Sequence, residues 1–114
     1  MKNNKSEYFA INFLRESLRC QADACARKLS RSVTRLTSCD ELPCLEYGEE
    51  VRSEQALAQQ LFYLQHCRDA VERCIHSGEA RLRYRWADGT VTHTRFRRVE
   101  HGRIQVRGLW RADA

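Results

Sequence analysis

Between Ser6 and Ser38 the apolar residues Ile11, Leu14, Leu18, Ala22, Cys25, Leu29, Val33 and Leu36 recur every three or four positions, which keeps them on one face of a helix. Neither Gly nor Pro interrupts the run. The pattern predicts a single helix over about 7–38, roughly 45 Å long at 1.5 Å per residue. Ser6 is the expected N-cap, and Pro43 closes the segment because it disfavours helical geometry at Leu42.

A second helix is predicted over about 50–77. Leu57, Leu61, Leu64, Val71 and Ile75 form its main stripe, and Ala56, Tyr63, Cys67, Ala70 and Cys74 lie on an adjoining face. Two apolar faces imply contact with two different elements. Gly78 is placed to cap the C-terminus in the left-handed conformation, and His76 suits the negative end of the helix dipole.

After Gly78 the period shortens to two: Leu82, Tyr84 and Trp86 alternate with Arg81, Arg83 and Arg85. Strands are predicted over about 80–87, 90–99 and 103–110. Ala87-Asp88-Gly89 and Glu100-His101-Gly102 read as three-residue hairpin loops, each a type I turn ending in a left-handed Gly. Such loops pair Trp86 with Thr90 and Val99 with Arg103. They also gather Leu82, Tyr84, Trp86, Phe96, Ile104, Val106 and Trp110 on one sheet face, whereas two-residue loops scatter the aromatics over both faces. The expected architecture is α+β: two long antiparallel helices followed by a three-stranded antiparallel meander whose even face packs on the helices.

At 114 residues, 42% of them apolar, the chain suits one domain spanning 1–114 with little room for a deep substrate cavity. Its net charge of +5 is unevenly distributed. Residues 1–40 carry eight cations and four acids, residues 41–79 three and eight, and residues 80–114 nine and three. A basic, acidic, basic order either attracts anions to the two ends or is neutralised internally. No apolar stretch is long enough for an export signal or a membrane span, so the expectation is a cytoplasmic protein, off the membrane, with mostly free thiols.

The motifs carry little catalytic chemistry. Cys39 and Cys44, five apart in a Pro-containing loop, are the best metal-like or disulfide pair, to be completed by Cys67 or a histidine. Zinc sites favour two matched knuckles, which are absent, and Cys67 and Cys74 read as small core residues. His66 and Cys67 are neighbours on a helix and point about 100° apart, so they make no thiol–base dyad. Glu46, Glu49, Glu50 and Glu54 show no paired-acid spacing, and no phosphate-binding Gly loop occurs. Neither an enzyme nor a cofactor is expected.

Two surfaces remain. On the first helix Phe9, Phe13, Cys20 and Ala24 gather away from the main stripe, more apolar surface than one short sheet covers. The leading expectation is a small non-enzymatic regulator that binds a protein partner, masking its dimerisation or activation surface as antiactivators and inhibitors do, and that forms a homodimer through the long helices. Phe9, Phe13, Leu14 and Leu18 are the expected anchors, with Arg15 and Arg19 orienting an acidic partner. In a competing arrangement the N-terminal turns fold back over the sheet and bury Phe9 and Phe13. The alternative function is nucleic-acid binding through the odd sheet face, where Arg81, Arg83, Arg85, Arg95, Arg97 and Arg107 surround His93 and Gln105. With Tyr84, Trp86 and Phe96 on the opposite face, that surface is expected to lack stacking aromatics.

Overall fold

In the computed structural model, which describes residues 5–37 and 44–109 and their side chains over 5–33 and 51–109, the chain starts with a strand rather than a helix. Strand β1 (Ser6–Ala10) leads directly into α1 (Ile11–Thr37), followed by α2 (Cys44–Ser77), β2 (Glu79–Arg85), β3 (Val91–Val99) and β4 (Arg103–Arg107). The sheet therefore has four antiparallel strands in the order β1-β4-β3-β2. It is not the three-stranded meander expected.

The physical reason lies at the far edge of β4. A three-stranded meander leaves that edge unpaired, and Ser6–Ala10 fills it in register, Phe9 opposite Ile104 and Tyr8 opposite Gln105. Pairing turns Phe9 inward against the core and Tyr8 outward. Helix begins only at Ile11, whose N–H donates to Gly102 O at 3.0 Å, so Ser6 opens a strand and caps no helix. The other boundaries also shift: α2 starts at Cys44, and β4 ends at Arg107. Cys39, Pro43 and Trp110, and the side chains of Leu36 and Cys44, lie outside the described residues.

The hairpin register follows the three-residue loops. Trp86 N–H donates to Thr90 O at 2.8 Å, and Val99 stands opposite Arg103. Gly89 has φ 89°, but the second loop places His101 as well as Gly102 in the left-handed region, at 63° and 65°. Gly78, at φ 93°, ends α2 by donating to Cys74 O at 2.8 Å.

The core sits between the even sheet face and the helix pair. Phe96, Ile104 and Val106 from the sheet meet Leu14 and Leu18 of α1 and Tyr63, Cys67, Ala70, Val71 and Cys74 of α2. Tyr63, Tyr84 and Trp86 form an aromatic cluster with centroids 4.8–5.5 Å apart. Gln59 holds the hairpin tip to α2: its carbonyl accepts from Tyr84 Oη at 3.1 Å and its Oε1 from Ala87 N–H at 2.7 Å. Farther along, the helices pack on each other, with Cys25 Sγ donating to Leu57 O at 3.2 Å.

Candidate nucleic-acid interface

Alternation along four strands decides what the outer sheet face carries. With even residues of β2, β3 and β4 turned to the core, their odd residues face solvent. The antiparallel register then places Arg81 beside Arg95, Arg95 beside Arg107, and Arg83 beside His93. Arg85, Arg97 and Arg103 complete a face of seven arginines. All six arginines expected on this face are brought together. Arg103 is an addition that the odd-number rule already contained.

One acid, Glu79, shares that face. Its Oε1 accepts from Arg95 Nε at 2.9 Å and from Arg81 Nε at 3.2 Å, and these two bonds hold its carboxyl below the ordinary carboxylate range. Among the described residues Arg83, Arg85, Arg97, Arg103 and Arg107 form no ion pair. Like charges on adjacent strands repel each other, so an uncompensated cluster of this density lowers its energy when an anion settles on it.

The expectation that this face lacks aromatics is corrected by the fourth strand. β1 contributes Tyr8, 55% exposed, whose hydroxyl accepts from Gln105 Nε2 at 3.3 Å and whose ring lies 5.8 Å below the Arg103 guanidinium carbon. The signal for it was the Tyr8-Phe9 pair, which suits a strand better than a helix start.

The helical surface is smaller than the sequence pattern implies. Leu14 and Leu18, 3% and 2% exposed, belong to the core and present nothing to a partner. Phe9 is half-buried against the core, while Phe13 is 62% exposed and stacks on it at 6.2 Å between centroids. The fold-back of helical turns over the sheet is not what occurs: Phe9 reaches the core from edge strand β1, and Phe13 stays exposed. Arg15 Nε is paired with Glu72 Oε1 at 2.8 Å, and Arg19 is held between Glu16 and Asp23. An open groove of about 810 Å³ runs between α1 and α2 around these pairs, lined by Arg15, Arg19 and Arg68 against Glu16, Asp69 and Glu72. Its charges balance, so it favours neither sign of ligand.

Cys20, Cys25, Cys67 and Cys74 are free, and only Cys20 is exposed. Among the described residues no three His, Cys, Asp or Glu side chains gather as a metal site, and no helix is long and apolar enough to cross a membrane. No family model, curated protein or solved structure matches the chain.

Proposed function

We propose that this protein is a small non-enzymatic regulator that binds nucleic acid through the outer face of its sheet. The observation that carries this reading is the seven-to-one excess of arginine over acid on that face, five of the arginines having no carboxylate partner among the described residues. Arginine binds phosphate oxygens bidentately, and a polynucleotide supplies closely spaced charges of one sign by virtue of its covalent repeat. An acidic protein patch of similar density must overcome its own repulsion first. Contacts of this kind fix a backbone on the sheet without reading sequence. A reducing compartment such as the cytoplasm suits the four free thiols among the described residues.

Fluorescence anisotropy with a labelled oligonucleotide, titrated between 50 and 200 mM salt, tests the reading. Engagement of about four phosphates corresponds to a roughly hundredfold loss of affinity over that range. Arg83→Ala and Arg97→Ala each weaken binding and reduce the salt slope by about 1. No binding at 50 mM salt, or binding indifferent to both substitutions, rejects it.

A second reading, a protein partner or a second copy docking on the helices, is favoured by one observation: Phe13 stacks on Phe9 yet leaves most of its ring in water. Only Phe13 of the four apolar anchors expected there remains substantially exposed. Light scattering of the purified chain and of Phe13→Ser checks it, since an apolar interface resists salt and dissociates when that ring is removed.

A further inference from the structure

Resting on the reading just proposed, we infer that the arginine face is built for a single strand, with Tyr8 as the platform on which one unstacked base sits. Tyr8 lies opposite Gln105 at the β1 edge, and on β4 the flanking outward residues are Arg103 and Arg107. Those two are four residues apart, about 13 Å along an extended strand, with the aromatic ring between them. A nucleotide whose base rests on Tyr8 therefore has a long, flexible cation on each side for its 5′ and 3′ phosphates.

Three further observations fit a stacking role. The Gln105 amide donates to the Tyr8 hydroxyl and restrains the ring, so little freedom remains to be lost when a base arrives. Arg103 stands over the ring at 5.8 Å, which shows that this face accepts a flat partner, and a base that takes its place leaves the guanidinium free for the adjoining phosphate. From Tyr8 the cationic surface continues across the sheet through Arg107 on β4 and Arg97 on β3, which stands opposite Gln105, and neither pairs with an acid among the described residues. A strand leaving the platform thus has a track to follow. A duplex has no free base face to offer Tyr8 and engages only the cations.

The test compares labelled dT15 with a hairpin duplex of equal phosphate number, binding to the full chain and to Tyr8→Ala, Tyr8→Phe and Tyr8→Trp. Base stacking on one aromatic is worth roughly 5- to 150-fold in affinity. The wild type is expected to prefer dT15, and Tyr8→Ala to lower the ratio of single-strand to duplex affinity by at least about fivefold, with Phe and Trp restoring it. A circular dichroism melt of Tyr8→Ala shows whether the edge strand persists, and Tyr8→Phe, which keeps the ring and loses the Gln105 bond, separates stacking from strand support. Equal affinity for the two probes, or an unchanged ratio in Tyr8→Ala, overturns the platform while leaving phosphate binding by the arginines intact. Failure of both probes to bind removes the proposed function and this inference together.

Discussion

Tyr63 Oη of α2 and Thr94 Oγ1 of β3 lie 3.0 Å apart inside the core, both residues almost wholly buried. The Thr94 hydroxyl donates to Gly108 O at 3.1 Å, so its own proton is committed and Tyr63 is the donor between them. The chain of two bonds ties helix, central strand and the segment after β4. Thr94→Val keeps the shape and removes both bonds, for an expected loss of about 1–3 kcal/mol in urea denaturation. Tyr63→Phe costs about 1 kcal/mol, and the double variant is less destabilised than the sum of the singles because both remove the same bond. Additive losses would show that the two hydroxyls act separately.

Cys67 gives the fold an alkaline limit. Burial pushes its thiol up to about 12, an effect only partly offset by the neighbouring Tyr63 hydroxyl. In the unfolded chain the same thiol ionises near its ordinary value of about 9. Between these values the unfolded chain gives up a proton that the folded chain keeps. Stability is therefore complete below about pH 9 and falls as pH rises toward 12, by about 1.4 kcal/mol per unit. Cys67→Ala is less stable at pH 8 because it leaves a void, yet its deficit relative to wild type narrows by about 1.4 kcal/mol at pH 10. A deficit equal at both pH values would contradict this.

The two hairpin loops differ in how well their residues suit the backbone. Gly89 occupies the left-handed region with open space where a Cβ would stand, so Gly89→Ala costs about 1 kcal/mol from backbone strain alone. His101 bears that strain already. Replacing it by Gly is expected to stabilise the chain by about 0.5–1 kcal/mol, read as a rise of a few degrees in the thermal midpoint. A fall would mean that the imidazole makes a stabilising contact of its own.

Glu79 limits the arginine face. Glu79→Gln releases Arg95 and Arg81 from their carboxylate partner and makes both available to phosphate. Affinity for an oligonucleotide at 50 mM salt is expected to rise severalfold, with a steeper salt dependence by up to about one unit per arginine gained. Unchanged affinity would place the ligand away from the β2 side of the sheet.

Local pattern alone determined the two helices and the strands from β2 to β4, because periods of 3.6 and 2 report directly which side of an element meets the core. It also determined register. Only three-residue loops put Phe96 and Trp86 on one face, and Phe96 is fully buried there. The six arginines were legible for the same reason, since alternation that fills a core face defines its opposite.

What only tertiary structure decided is the fate of the first ten residues. Ser6–Ala10 is short, and Glu7 on its inward side blurs the apolar alternation, so the strand preference of Tyr8 and Phe9 is a weak local sign against a first helical turn. Its conformation depends on a vacant edge of β4 about a hundred residues away, where backbone hydrogen bonds outweigh one more turn of helix. That long-range pairing drew Phe9 inward, committed Leu14 and Leu18 to the core beneath it, and set Tyr8 among the arginines. The balance between the two candidate surfaces thus turned on a contact no periodicity encodes.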